Sequence, residues 1–188
     1  MRFKVHYKIK YILLLIIMIL FTNKVYGNYE KLAYDFNFTD IDGKEFNLSK
    51  FKNKVIVVVN VASKCGFTSQ YEDMQKIWDV YKKRDFVLIG IPSNDFGGQE
   101  PGDSSQIKEF CETKFGITFP ITEKVVVKGE NAHPFYKWAL KNHGKSTVPK
   151  WNFHKIIIGK NGKVYDTFSS ITNPSSKKFI NSIEKALN

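Results

Sequence analysis

The sequence predicts an α/β fold with a central mixed β-sheet flanked by α-helices and preceded by a β-hairpin. The run Val55–Val61 is almost entirely β-branched, which is typical of a strand covered on both faces. A second buried strand pattern follows at residues 86–91, after an apolar pattern with helical spacing. A strand, a helix and a strand in this order form a βαβ unit.

The N-terminal hairpin is predicted from alternation around a tight turn at Asp42 and Gly43. Apolar side chains alternate with polar ones on both sides of that turn, namely Tyr34, Phe36, Phe38, Phe46 and Leu48. The helix of the βαβ unit is predicted from apolar residues at helical spacing, which are Tyr71, Met74, Ile77, Trp78 and Tyr81.

Two predicted helices follow the βαβ unit. Asp103 or Ser104 can cap a helix whose apolar side includes Cys111, and Gly116 stands where a C-terminal glycine cap belongs. Pro134 can open another helix, which we expect to run through Leu140.

The C-terminal part of the chain predicts a second hairpin and a last helix. Strand patterns at residues 156–158 and 164–168 bracket Asn161-Gly162, a strong hairpin signal, and residues 175–187 have an amphipathic helical pattern. The complete order is hairpin, βαβ, helix, helix, hairpin, helix. This order matches the thioredoxin-like architecture.

The first 27 residues have the features of a secretory signal peptide. Basic residues between Arg2 and Lys10 precede an apolar run at residues 11–21. That run is well short of the ~20 residues that span a bilayer, so a signal anchor is the weaker alternative. We expect cleavage after Gly27 and a mature chain of residues 28–188.

The charge of the chain is partly a property of this targeting segment. The formal net charge is +11, and the five basic residues of the segment leave +6 on residues 28–188. That remainder has no arginine-rich block and no basic stripe interleaved with aromatic residues, so we expect no nucleic-acid binding. Weak attraction to anionic membrane surfaces stays open. Its length suits one domain, and no linker or repeat divides it.

Cys65 stands where the buried strand ends and the helical pattern begins. Unsatisfied N–H groups and the positive end of a helix dipole at such a place favour a thiolate. A thiolate attacks the O–O bond of a peroxide, and a second thiol can trap the resulting sulfenic acid as a disulfide. From position alone, an inert buried cysteine is an equally good interpretation.

The remaining cysteine and the histidines do not indicate a metal site. Cys111 is too distant from Cys65 for a CxxC pair. The four histidines lack the spacing that zinc sites use; they are His6, His133, His143 and His154. We expect neither a metal nor another cofactor.

Two other segments supply neutral hydrogen-bond donors that could serve a thiolate. Residues 91–102 contain Gln99, and Lys150 precedes Trp151 and Asn152. Amide and indole N–H groups can stabilise a thiolate and a departing oxygen without adding a competing nucleophile. Taken singly, each of the three is more simply a turn, core or capping residue.

Taken together with Cys65, these segments resemble the glutathione peroxidase family from Leu32 to the C-terminus. The matching motifs are Asn-Val-Ala-Ser-Lys-Cys-Gly at residues 60–66, Ile-Pro-Ser-Asn-Asp-Phe-Gly-Gly-Gln-Glu at 91–100 and Trp-Asn-Phe at 151–153. The resemblance implies a catalytic tetrad in which Cys65 is the nucleophile, Gln99 and Trp151 donate hydrogen bonds, and Asn152 is a polar stabiliser and candidate proton relay.

The surroundings of Cys111, Phe-Cys-Glu-Thr-Lys-Phe, are similar to the resolving-cysteine segment of family members that recycle through thioredoxin. This implies that a Cys65 sulfenic acid condenses with Cys111 and that thioredoxin reduces the disulfide. Because a disulfide needs Cα atoms within about 7 Å, we expect the Cys111 helix to unwind locally. A plain buried helix residue is the alternative for Cys111.

The resemblance implies a thiol peroxidase that reduces hydrogen peroxide and organic or lipid hydroperoxides. The alternatives are a one-cysteine, glutathione-dependent peroxidase and a peroxide sensor that relays oxidation to a partner. Ser93 and Asp95 depart from a frequent cysteine and a frequent glutamine of the family pattern. The stretch between His133 and Trp151 lacks the insertion that tetrameric members use, so we expect a monomer.

The expected location follows from the N-terminus. A signal peptide directs the chain into the secretory pathway or to an organelle reached through it, whereas a thioredoxin-recycled enzyme needs a reducing supply. Initiation at Met18 would discard most of the apolar run and give a cytoplasmic form.

Overall fold

A computed structural model describes residues 29–188, so the predicted signal peptide lies outside the described residues. The N-terminal hairpin consists of antiparallel strands β1 (Asn37–Thr39) and β2 (Glu45–Asn47). Its turn is fastened by Asp40, whose Oδ1 accepts the N–H groups of Asp42 at 3.0 Å and Lys44 at 2.9 Å. The predicted hairpin is confirmed, although each strand has only three residues.

The predicted extension of the two strands to Tyr34 and Leu48 is wrong, since Leu48 begins a 3₁₀ helix, Leu48–Phe51. Tyr34 belongs to a 3₁₀ turn, Ala33–Asp35, in which Asp35 Oδ2 accepts the Leu32 N–H at 2.8 Å. The Tyr34 ring packs against Gly162, where a Cβ atom would lie 2.7 Å from it. Packing against a distant glycine therefore decides the position of Tyr34, and alternation along the chain cannot reveal that contact.

The central sheet has four strands in the order β4-β3-β5-β6. They are β3 (Val55–Val61), β4 (Phe86–Pro92), β5 (Lys155–Ile158) and β6 (Val164–Phe168). β3 runs parallel to β4 and antiparallel to β5, which is itself antiparallel to β6. The predicted mixed sheet, the βαβ unit and the second hairpin are confirmed. All residues of β3 and β4 are buried, as expected for strands covered on both faces.

Four α-helices accompany the sheet in the described part of the chain. They are α1 (Gln70–Tyr81), α2 (Ser104–Phe115), α3 (Pro134–His143) and α4 (Lys177–Leu187). Alternate residues of a strand point to opposite faces of the sheet. One face packs with α1, α2 and α4, and the other packs with α3 and the N-terminal hairpin. The predicted flanking helices are confirmed.

The ends of α2 follow the predicted capping signals. Asp103 is the N-cap: its Oδ1 accepts the Gln106 N–H at 2.9 Å, and Gln106 Oε1 accepts the Asp103 N–H at 3.0 Å. Gly116 closes the helix with φ +60°, a left-handed conformation that glycine adopts without strain. This short helix, defined at both ends, carries Cys111. Between residues 29 and 188, no helix is long and apolar enough to cross a membrane.

Candidate active site

Cys65 lies in the loop between the end of β3 and the start of α1, and its side chain is 8% exposed. The Phe67 N–H donates to Cys65 Sγ at 3.4 Å. Thr68 fastens the loop because its Oγ1 accepts the Cys65 N–H at 3.0 Å and its hydroxyl lies 3.0 Å from the Ala62 carbonyl oxygen. The sulfur of Cys65 therefore has a backbone hydrogen-bond donor within its own loop.

The Cys65 loop is joined to the loop that carries Gln99. The Lys64 N–H donates to the Gln99 carbonyl oxygen at 3.0 Å. One residue earlier, the Ser63 N–H donates to Glu100 Oε2 at 2.9 Å, and the Ser63 hydroxyl donates to the same oxygen at 3.2 Å. Two consecutive residues of one loop therefore bond to two consecutive residues of the other.

Asn152 connects the third motif to this pair of loops. Its side chain is fully buried, and its Nδ2 donates to Gln99 Oε1 at 2.9 Å. The Asn152 Oδ1 atom is also buried and has no hydrogen-bond partner in the structure. A buried acceptor without a partner is energetically costly.

The turn that carries Trp151 and Asn152 is fixed by Asn60, a buried residue of β3. Asn60 Nδ2 donates to the Trp151 carbonyl oxygen at 3.1 Å, and Asn60 Oδ1 accepts the His154 N–H at 3.1 Å. The Asn60 carbonyl oxygen accepts the Phe153 N–H at 2.6 Å. Phe153 has φ +63°, an uncommon conformation for a residue other than glycine, which these bonds hold in place.

Trp151 is the exposed member of the predicted site, with 41% of its surface accessible. Its ring packs against Phe96 with ring centroids 5.9 Å apart. Phe96 belongs to the same loop as Gln99, and Lys128 Nζ lies 4.3 Å from the centroid of the Phe96 ring. The indole is thus accessible, whereas its neighbour in the chain, Asn152, is buried.

Cys111 is fully buried on α2, and both cysteines are free thiols. Burial raises the pKa of Cys111 to about 11, an increase that the nearby Tyr71 hydroxyl partly opposes. That hydroxyl is itself buried without a well-formed hydrogen bond. Cys111 and Cys65 belong to the same apolar cluster. A thiol with such a high pKa stays protonated near neutral pH.

The structure therefore joins, by hydrogen bonds, the three segments that carry the four predicted site residues. Gln99 bonds to Asn152 directly and to the Cys65 loop through Lys64. Asn60 and Glu100 hold these segments in place but were not among the predicted site residues. Both stand inside the motifs quoted above, and Glu100 directly follows Gln99; membership of those motifs was the available signal.

Comparison with known proteins decides the family. The family model described as glutathione peroxidase matches residues 33–141. The chain belongs to the glutathione peroxidase family. A glutathione peroxidase-like peroxiredoxin, GPX5 of Chlamydomonas reinhardtii, is 45% identical over 158 residues, which cover 82% of this chain and 96% of that protein. Membership of this family makes the chain a peroxidase.

One further relative and one solved structure support the same assignment, and a more distant structure shows the fold. The hydroperoxy fatty acid reductase gpx1 of Synechocystis is 42% identical over 149 residues, covering 75% of this chain and 88% of the relative. The crystal structure of T. cruzi GPX1 is 30% identical with a TM-score of 0.63, covering 84% of this chain and 94% of that one. A thioredoxin family protein of Chlorobium tepidum, 20% identical, has a TM-score of 0.63 over 84% of this chain and 97% of its own. The predicted thioredoxin-like fold is confirmed.

Proposed function

We propose that this glutathione peroxidase family member reduces hydrogen peroxide and organic or lipid hydroperoxides with Cys65 as the nucleophile. The Cys65 thiolate attacks one peroxide oxygen, so that an S–O bond forms and the O–O bond breaks. Sulfur is oxidised by two electrons to the sulfenic acid, and the peroxide is reduced by two. The other oxygen leaves with a proton as water or an alcohol.

The observation that carries this proposal is the hydrogen bond between Asn152 and Gln99 at 2.9 Å, beside the loop of Cys65. Because Asn152 donates to Gln99 Oε1, the Gln99 amide group keeps its own N–H donors for reacting atoms. Neutral donors fixed in this way stabilise charge that develops on a departing oxygen. Trp151 supplies a further indole N–H from an accessible side chain.

The second half of the cycle uses Cys111 as the resolving thiol. The Cys111 sulfur attacks the sulfur of the Cys65 sulfenic acid, an S–S bond forms, and hydroxide leaves and takes up the proton that Cys111 loses. Two thiols of thioredoxin then reduce this disulfide by exchange. Cys111 lies on the packed side of α2, so α2 must unwind locally before the sulfurs meet. Two relatives bear the name glutathione peroxidase-like peroxiredoxin, which supports a peroxide-reducing cycle carried by thiols.

The test is a coupled assay that follows NADPH consumption with hydrogen peroxide and either a thioredoxin or a glutathione system. We expect turnover with thioredoxin, none in Cys65→Ser, and loss of thioredoxin-dependent turnover in Cys111→Ser. The Cys111→Ser variant should still form the sulfenic acid. Full thioredoxin-dependent turnover of Cys111→Ser would contradict the resolving role, whereas turnover with the glutathione system and none with thioredoxin would favour the one-cysteine, glutathione-dependent alternative.

The peroxide-sensor alternative is distinguished in the same purified system. A sensor would oxidise once and transfer its oxidation to a trapped partner, whereas an enzyme consumes many equivalents of peroxide. The named function of the Synechocystis relative favours fatty acid hydroperoxides as a substrate class to include. Sustained turnover of such a hydroperoxide would support the enzyme.

We extend the proposal to the cellular location and the oligomeric state of the protein. Residues 1–27 act as a signal peptide that directs the chain into the secretory pathway or an organelle reached through it, and the mature protein is a monomer. N-terminal sequencing of the native protein and light scattering after gel filtration test both points. A native species that starts at Met1 would contradict the signal peptide, and one that starts at Met18 would support the cytoplasmic form.

A further inference from the structure

Glu100 is a buried carboxyl group beside the site to which the proposed chemistry assigns no role. It follows Gln99 directly, and only 1% of its surface is exposed. Burying a carboxylate is unfavourable unless hydrogen bonds compensate for the lost water. Burial accordingly raises the pKa of Glu100, while Ser63 and the charges of Lys124 and Lys64 oppose that increase.

The carboxyl group has a specific set of partners. Its Oε2 atom accepts two hydrogen bonds from Ser63, one from the backbone N–H at 2.9 Å and one from the hydroxyl at 3.2 Å. The backbone of Glu100 is held as well. Its N–H donates to Asn94 Oδ1 at 2.8 Å, and its carbonyl oxygen accepts from Lys124 Nζ at 3.0 Å. Lys124 also binds the Gly102 carbonyl oxygen at 2.8 Å.

These contacts connect the two loops whose separation matters for the reaction. Ser63 lies two residues before Cys65, and Glu100 lies one residue after Gln99. The Ser63 bonds to Glu100 and the Lys64 bond to the Gln99 carbonyl oxygen are adjacent links between the loops. The Glu100 backbone is anchored by Asn94 and Lys124. Its carboxyl group therefore holds the Cys65 loop in a fixed position relative to the loop that carries Gln99.

We propose that Glu100 is a positioning residue that sets the location of Cys65 relative to Gln99 through Ser63. This inference rests on the proposed function, because it assumes that Cys65 and Gln99 act on the same peroxide. Misplacing reacting groups by about 1 Å can cost about 10²-fold in rate. Ser63 needs an oxygen that accepts its two hydrogen bonds. A negative charge on that oxygen is not needed.

A series of substitutions at Glu100 separates the acceptor from the charge. Glu100→Gln keeps an acceptor oxygen on a side chain of the same length. Glu100→Asp shortens the side chain by one methylene group, and Glu100→Ala removes the acceptor. Glu109→Ala is the matched control, because Glu109 is an exposed acid on α2. The rate of Cys65 oxidation by hydrogen peroxide is measured by stopped-flow on reduced protein. The rate of Cys65 alkylation by iodoacetamide is measured in parallel.

We expect Glu100→Gln and the control to oxidise within about 3-fold of the wild type. Glu100→Ala and Glu100→Asp should be slower by about 10- to 100-fold. Alkylation should stay within about 3-fold in all variants, because iodoacetamide needs the thiolate but not its alignment with Gln99. A merely structural role would change both rates together and lower the unfolding midpoint in proportion. If Glu100→Ala does not fold, the comparison of Glu100→Asp with Glu100→Gln decides the question.

Three results would overturn this inference: oxidation at the wild-type rate in Glu100→Asp, equal slowing in Glu100→Gln and Glu100→Asp, or parallel loss of oxidation and alkylation. A wild-type protein whose Cys65 does not react with peroxide would overturn the proposed function itself. Fast wild-type oxidation together with fast Glu100→Asp oxidation would overturn the positioning role alone. The two failures are therefore distinguishable.

Discussion

Asn152 donates its side-chain N–H to the side-chain oxygen of Gln99 at 2.9 Å, and this bond orients the Gln99 amide group. The oxygen is occupied, so the NH₂ end of Gln99 is directed to other partners. Asn152 is fully buried, and its turn is fixed by the bonds of Asn60. The orientation of Gln99 is therefore set before any peroxide enters, as electrostatic preorganisation requires.

Removing the donor of this pair should slow the peroxide step without abolishing the nucleophile. We expect Asn152→Ala to reduce the rate of Cys65 oxidation by about 10²-fold, the usual effect of losing one preorganised donor. Gln99→Ala should have a similar effect, and the double variant should be hardly worse, because the two side chains act as a unit. Stopped-flow oxidation of the three variants tests this.

The control for that comparison is Asn142→Ala, which removes an amide that bonds to the Trp138 carbonyl oxygen on α3. It should oxidise at the wild-type rate. Additive losses in the Asn152 and Gln99 variants would show that the two amides act independently.

The high pKa of Cys111 leads to a second prediction. In reduced Cys65→Ser protein, Cys111 should react with iodoacetamide at about pH 8 at least about 10²-fold more slowly than an unperturbed thiol, because its pKa is about 11. The rate should rise with pH up to about the pKa. Alkylation in denaturant provides the control, since unfolding removes the burial that raises the pKa. Rapid alkylation of the folded protein at neutral pH would contradict a buried, protonated Cys111.

The elements with local signals were predictable from sequence, and the contacts between distant segments were not. The capping residues Asp103 and Gly116 directly flank the helix that they delimit, so their roles can be seen in the chain itself. The bond between Ser63 and Glu100 joins residues 37 apart, and that between Asn60 and His154 joins residues 94 apart. Nothing in the neighbourhood of Asn60 indicates such a partner. The tetrad stays a prediction, and it rests on motifs that resemble those of a known family.

The N-cap of α2 offers a test of local unwinding. Asp103→Ala removes the acceptor of the Gln106 N–H and should destabilise α2 by about 1 kcal/mol. If unwinding limits the attack of Cys111 on the Cys65 sulfenic acid, disulfide formation should become about 5-fold faster, since 1.4 kcal/mol corresponds to tenfold. Rapid mixing with peroxide followed by quantification of the disulfide measures this rate.

Ser176→Ala at the start of α4 is the matched control, because α4 carries neither cysteine and the Ser176 side chain forms no cap bond. It should leave disulfide formation unchanged. Slower disulfide formation in Asp103→Ala would show that an intact α2 is needed for the resolving step.

The buried side chain of Lys155 leads to a prediction about how the free energy of unfolding depends on pH. Its side chain is fully buried, and its ammonium group binds Gln70 Oε1 at 2.5 Å and the Thr172 carbonyl oxygen at 2.7 Å. Burial lowers its pKa to about 7, below the ordinary value of 10.5 that it regains on unfolding. Between these two values the unfolded chain binds more protons than the folded one, so the free energy of unfolding rises with pH.

We expect the contribution of Lys155 to add about 1.5 kcal/mol to the free energy of unfolding between about pH 7 and about pH 8.5, and Lys155→Met should lack this rise. The window ends there because the raised pKa of Cys111 acts in the opposite direction from about pH 9 upward. Urea denaturation at several pH values measures the slope. Lys137→Met, at an exposed lysine of α3, is the control and should keep the wild-type slope. Equal slopes in the wild type and Lys155→Met would show that Lys155 remains charged throughout this range.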